Sequence, residues 1–179
     1  RRGTATPNRP VELGIPTCEE IGLVGAKALD PKLVRAREGY ALDSSGFARV
    51  ITHAPAANRL TITVSGVAAH AGLHPEWGVN AVLLAARALA RVPSGRIDAE
   101  TTANFGTIQG GTASNIVPER VVIEAEVRSH SVERLEQVTA QIREMFNETV
   151  AAWEDPTGQA QGAPSVEVAV RLDFPVMQL

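Results

Sequence analysis

The sequence predicts an α+β fold over its last two thirds, with a shorter α/β stretch ahead of it, and three observations carry this expectation. Segments 59–65 (RLTITVS), 120–129 (RVVIEAEVRS) and 165–172 (SVEVAVRL) alternate apolar and polar residues as half-buried strands do. Segments 78–92 and 131–150 repeat their apolar residues at helical spacing. The order read from 58 to 172 is β-α-β-β-α-β. This is the ferredoxin-like, split-βαβ arrangement, in which one antiparallel sheet carries both helices on a single face.

In the first stretch, 11–17 reads as a short strand ending at Cys18-Glu19-Glu20. Leu23, Ala26 and Leu29 then fall at helical spacing, and Asp30-Pro31 either ends that helix or caps a further turn over 32–37. Segment 39–43 (GYALD) reads as a second strand with Ser44-Ser45-Gly46 as its turn, and 47–52 as a third. Residues 53–57 (HAPAA) read as a linker. The domain boundaries expected are therefore 1–56 for part of one domain, 57–175 for the α+β sandwich, and 176–179 for a return towards the first.

Each element of the sandwich has its own warrant. In 78–92 the apolar residues Val79, Val82, Leu83, Ala86 and Leu89 form the expected inner face, with Arg87 and Arg91 off it, and Pro93-Ser94-Gly95 stops the helix. A strand is expected over 101–108, with Gly110-Gly111 turning the chain into 120–129. Ser131 opens a second helix with Leu135, Val138, Ile142, Met145, Phe146 and Val150 on one side. A Gly/Pro/Gln-rich loop over 154–164 leads to the last strand.

Composition excludes several classes. Hydrophobic residues make up 44% of the chain and charged residues 21%, which allows a real core and argues against disorder or a coiled coil. Aromatics are only 4%, so the core rests on Val, Ile, Leu and Ala. A net charge of −3 and the absence of a basic run argue against a nucleic-acid partner. Cys18 stands alone, which rules out an intrachain disulfide and suggests no oxidising compartment. It reads as a small packing thiol rather than a nucleophile. The most apolar stretch, 81–92, is interrupted by Arg87 and Arg91 and falls short of a bilayer span, so no membrane is expected and the localisation reads as cytoplasmic. Both ends read as cut: a polar, turn-rich start runs straight into an apolar strand, and DFPVMQL stops without a cap.

Few residues suggest chemistry by themselves. Glu19-Glu20 and Asp43 fall at the exits of neighbouring strands, where α/β sheets gather ligands. Adjacent residues in extended chain point different ways, so one Glu could ligate a metal while the other addresses its water; equally, the pair could be a solvated turn. His70, in AAHAGLHPEWGVNA, is a loop histidine free to reach a ligand or simply exposed. Asn115, in GGTASNIVP, could present its amide to a substrate or bond its own backbone. Arg128 could bind a carboxylate bidentately or sit on the exposed sheet face.

Taken together, TCEEIGLVGAKAL, YALDSSG, GVAAHAGLHPEWGVNA, NFGTIQGGTASNIVPE and EAEVRS resemble, in order, the dinuclear zinc metallopeptidase and amidohydrolase family that includes peptidase T, carboxypeptidase G, succinyl-diaminopimelate desuccinylase and aminoacylase. EEIGLVGAK with HAGxxPExGxNA is most similar to the peptidase T-like branch. The resemblance implies a lid and dimerisation sandwich attached to part of an α/β catalytic domain. It implies zinc, two ions per complete site, with Glu20 and Asp43 as ligands and Glu19 as general base. His70 corresponds to the lid histidine that crosses to the partner's site in dimeric members and stabilises the oxyanion. Asn115 and Arg128 correspond to substrate-holding groups, Arg128 through the substrate carboxylate. The implied activity is hydrolysis of an amide bond in short peptides or N-acyl amino acids, by a homodimer joined through the lid. The alternatives are a dimerisation module without catalysis of its own, or an inactive homologue. The family's His-x-Asp element and bridging Asp, and a His that follows the lid, have no counterpart in these residues. The chain by itself is therefore expected to be inactive and to bind zinc weakly.

Overall fold

The computed structural model describes residues 10–19, 22–42 and 50–178, and the chain divides into two compact units, Arg1–Val50 and Ile51–Leu179. Among the described residues of the first unit, regular structure is limited to α1 (Val24–Ala28) and a 3-10 turn at Pro31–Leu33. Asp30 caps that turn, its carboxylate accepting from the Lys32 amide at 2.9 Å. The strands expected at 11–17 and 39–43 do not form in the described residues, nor does the part of 47–52 that is described. A strand exists only by pairing, and here the apolar side chains of Val11, Leu13, Ile15, Tyr40 and Leu42 face solvent instead. Residues 11–13 are tied to the 3-10 turn by Glu12, which accepts from the amides of Arg35 and Ala36 at 2.8 and 3.1 Å and from Arg35 Nε at 3.0 Å. These amides, Arg35's first, hold the Glu12 carboxyl below its ordinary range.

The second unit follows the expected order. Its strands are β1 (His53–Ala54), β2 (Ala56–Ser65), β3 (Ala69–His70), β4 (Gly95–Arg96), β5 (Thr101–Gly110), β6 (Ile116–Val117), β7 (Arg120–Ser129), β8 (Ser165–Phe174) and β9 (Met177–Gln178). Its helices are α2 (Ala81–Leu89) and α3 (Val132–Ala151). The main sheet runs β4-β5-β7-β2-β8, antiparallel throughout. Without the two-residue edge strand β4, which the sequence did not announce, this is the four-stranded ferredoxin-like order.

Alternation decides which face is covered. On β2, Leu60, Ile62 and Val64 are buried, and on β7 Val121, Ile123 and Val127 are, all beneath α2 and α3. The intervening residues, Arg59, Thr61, Glu124, Glu126 and Arg128, make the opposite face polar. α3 buries Leu135, Val138, Ile142, Phe146 and Val150, as its periodicity required. Ser131 starts it, the hydroxyl accepting from the Arg134 amide at 3.2 Å. Buried polar groups are paired: Asn58 Nδ2 donates to Thr139 Oγ1 at 3.2 Å, that hydroxyl donates to the Leu135 carbonyl at 2.7 Å, and the Thr101 and Ser129 hydroxyls are 3.0 Å apart.

Two expectations are corrected. Of the residues expected on the inner face of α2, Val79 is buried and Val82 and Leu89 pack at the edge of the core, but Leu83 (56% exposed) and Ala86 face away, and the centre of the face is Ala81, Leu84, Ala85 and Ala88. Asn80 starts the helix late by capping the Leu83 amide at 3.0 Å, and three alanines let the helix backbone lie close to the sheet. The HAPAA linker is also structured. His53 and Ala54 pair with Gln178 and Met177, and Ala56 and Ala57 are buried in β2. Among the described residues no helix is long and apolar enough to cross a membrane.

Candidate functional site

A closed loop between β2 and α2 presents His70. Val67 and Val79 bridge each other, with bonds of 3.0 and 2.9 Å between their amides and carbonyls, and the Gly66 amide donates to the Glu119 carbonyl at 2.8 Å. Gly66 is pressed so closely onto the Val79 carbonyl that a Cβ would strike it. Within the loop, β3 pairs with β6 so that His70 stands opposite Ile116, and the Ala71 amide donates to the Asn115 carbonyl at 2.9 Å. His70 and Asn115 are thus neighbours on one projecting hairpin-like element, both exposed. The Asn115 amide is not spent on its own turn, since its side chain has no hydrogen-bond partner among the described residues. Beside it lies an open depression of about 370 Å³ lined by Gly110, Gly111, Thr112, Ile116 and Glu119.

The loop has a feature the sequence reading passed over. His74 stacks on Trp77, with centroids 3.8 Å apart and planes 8° from parallel, and its Nδ1 is 3.1 Å from Glu76 Oε1. The Gln161 amide donates to the Trp77 carbonyl at 3.0 Å, anchoring this stack to the 154–164 loop. The Glu76 carboxyl is held below its ordinary range by a backbone amide first and by His74 second. A His two residues from a Glu and three from a Trp was the only signal of it.

Arg128 lies elsewhere. It is on the polar face at the opposite end of β7, eight residues beyond Arg120, the residue that pairs with Ser65 where the His70 loop begins. At about 3.4 Å per residue this is about 27 Å of strand. Its Nε and Nη2 donate to the two Glu126 oxygens at 2.6 and 3.0 Å, and its guanidinium lies 5.9 Å from the centre of the Phe174 ring. The Glu126 carboxylate holds the Arg128 pKa above its ordinary value, against partial burial, and the nearby charge of Asp173 adds to the effect. Asp173 is itself buried at the bulge where β8 slips against Ala57 and Asn58, with Arg59 Nη2 at 2.9 Å and Arg171 Nη2 at 3.1 Å. Only the break in alternation at Leu172-Asp173 hinted at this cluster.

Glu19 belongs to the first unit and is exposed. Its carbonyl accepts from the Gly22 and Leu23 amides at 3.1 and 2.9 Å in the turn that enters α1. Gly25 packs directly on the Thr17 backbone, where any side chain would collide, which accounts for the second glycine of EEIGLVGAK. Glu20 and Asp43, the expected metal ligands, lie outside the described residues. Among the described residues no three of His, Cys, Asp and Glu converge as a metal would need, so these residues do not by themselves make a metal site. Cys18, expected as a packing thiol, is exposed and sits at a left-handed backbone position with φ 56°.

This fold and loop arrangement match known proteins. Residues 56–154 match the family described as the M20 peptidase dimerisation domain. The chain belongs to the M20 family. It is 43% identical over 161 residues to the uncharacterised Bacillus subtilis protein YqjE, covering 89% of this chain and 42% of that protein. Among solved structures it is similar to aminopeptidase PepT from Bacillus cereus, at a TM-score of 0.76 and 42% identity over 90% of this chain and 41% of that one. A tripeptidase from Staphylococcus aureus gives 0.75 and 36% over the same shares. The chain thus spans about two fifths of the length of these relatives. The α+β sandwich expected from strand alternation is an M20 dimerisation domain, and the PepT-like motifs lead to PepT-type structures.

Proposed function

We propose that this chain is the lid, with an adjoining part of the catalytic domain, of a zinc-dependent enzyme that hydrolyses an amide bond in short peptides or N-acyl amino acids. Residues 57–175 would form the lid, with 1–56 and 176–179 leading to and from the catalytic part. The observation that carries the reading is the placement of His70 and Asn115 on one exposed element, His70 opposite Ile116 and the Asn115 carbonyl on the neighbouring Ala71 amide. An imidazole N–H meets the charge that develops on the carbonyl oxygen, and the Asn115 amide holds the substrate. Glu19 takes the proton from the attacking water. When bound, the zinc pair would lower the pKa of that water and polarise the carbonyl, with Glu20 and Asp43 assigned to it by the family resemblance.

The separation of Arg128 from His70 and Asn115 supports a homodimer. A tripeptide spans about 10 Å when extended, so the two ends of β7 in one protomer do not reach the same short substrate. Two sites, each taking Arg128 from one protomer and His70 with Asn115 from its partner, resolve this. The surface we assign to the second copy is β5 beyond Ala103, where β4 no longer pairs with it. Ile108 there and Leu83 on α2 are exposed on the helix-bearing side.

The test has two arms. Elemental analysis of this chain after dialysis against metal-free buffer should find little zinc, and tripeptides should survive it. In an enzyme of the relatives' full length carrying these residues, Glu19→Gln should lower kcat by about 10²–10⁴-fold and His70→Ala by about 10²–10³-fold. Full activity in both variants would sink the reading in favour of a dimerisation module without catalysis of its own.

A further inference from the structure

We infer that the backbone N–H of Gly72 is a positioning group that fixes His70 as an Nε2–H hydrogen-bond donor. The inference rests on the role proposed for His70 and supplies what that role requires. A neutral imidazole has one donor nitrogen and one acceptor nitrogen, and only the donor can meet an oxyanion. His70 Nδ1 accepts from the Gly72 amide at 3.1 Å. A nitrogen that accepts carries a lone pair and no proton, so the proton of the neutral ring sits on Nε2. That nitrogen has no hydrogen-bond partner among the described residues, and the residue is exposed. Its N–H is therefore offered to whatever oxygen approaches.

The polarity is informative. Where Nδ1 donates to a carbonyl or carboxylate, Nε2 is left with a lone pair, which suits a metal ligand or a general base. Here the bond runs the other way, so Nε2 is unsuited to either task and suited to electrophilic stabilisation. The backbone around the ring enforces this. The Ala71 amide is used by the Asn115 carbonyl at 2.9 Å, and those of Leu73 and His74 by the His70 carbonyl at 3.2 and 3.0 Å. The Gly72 amide, between them, is left to the ring. A Cβ on Gly72 would lie 3.5 Å from His70 Cε1 and 3.7 Å from Nδ1, ordinary contact distances. Gly72→Ala therefore keeps the N–H in place, whereas Gly72→Pro deletes it.

The experiment is ring nitrogen NMR on this chain labelled with ¹⁵N-histidine, at about pH 8, where an ordinary imidazole is neutral. The His70 ring is identified by its loss in His70→Asn. The expected result is a proton-bearing Nε2 and a bare Nδ1 without tautomer averaging, unchanged in Gly72→Ala and shifted towards an averaged pattern in Gly72→Pro. A proton on Nδ1, an averaged ring in the unmodified chain, or a Gly72→Pro spectrum like the original would overturn the inference. Should Gly72→Pro fail to fold, exchange of the Gly72 amide decides: protection supports the bond to Nδ1, and exchange at the rate of a free loop amide overturns it. These readouts involve no substrate. A fixed Nε2–H tautomer together with an inert His70→Ala substitution in the full-length enzyme would keep this inference and reject the catalytic reading.

Discussion

Leu42 and Leu60 are the same side chain in opposite circumstances: the first is 98% exposed, the second fully buried. Both lie in apolar stretches that read as strands. What separates them is partners. Leu60 sits in β2 between β7 and β8, with two helices above it, whereas the described residues around Leu42 form no ladder. Apolar sequence supplies the tendency to be buried, and register with neighbouring strands turns that tendency into a core.

The largest effect expected from this contrast is at Phe146, the largest fully buried side chain. Phe146→Ala should cost about 3–5 kcal/mol in chemical denaturation, while Leu42→Ala should stay within about 0.5 kcal/mol. A comparable loss at both positions would mean that the first unit has a core of its own. Thr139→Val is smaller, because it removes the acceptor for Asn58 Nδ2 but keeps the shape. An unsatisfied buried amide should cost about 1–3 kcal/mol, and Asn58→Leu combined with it should restore part of the loss.

The smallest effect depends on pH. Asp98, held first by Arg134, then by Thr101 and the Glu100 amide, has its pKa depressed from 3.8 to about 2. A depressed carboxylate contributes stability above its unfolded pKa and loses it as the pH falls through the folded value. The stability gap between the original chain and Asp98→Asn should therefore be full above about pH 4 and close towards pH 2. A gap that is constant over this window would show that the Asp98–Arg134 contact does not persist in solution.

How much of this was legible depended on whether the signal was local. Alternation in β2, β7 and β8 and the period of α3 are written residue by residue, and the fold followed them. The centre of the α2 face was not legible because this helix is apolar nearly all round: Ala81, Leu84, Ala85 and Ala88 keep the same helical spacing as the expected set, rotated from it. The β1–β9 pairing joins residues more than a hundred positions apart, and no periodicity reports that. At the site, motif resemblance singled out His70 and Asn115, which the fold brings side by side. The polarity of the His70 ring, the His74–Trp77 stack and the burial of Asp173 arise from three-dimensional neighbours and left little trace in the sequence.

The pairing of β1 with β9 also makes the second unit a cassette. His53 stands opposite Gln178, and antiparallel partners lie about 5 Å apart, so the strands entering and leaving the sandwich pass through one narrow doorway. Pro55 and Pro175 stand just inside it, Pro55 between β1 and β2 and Pro175 between β8 and β9. A body whose two leads emerge together can be spliced into a host loop, or have its leads joined by a few residues and be reopened elsewhere, without disturbing its interior.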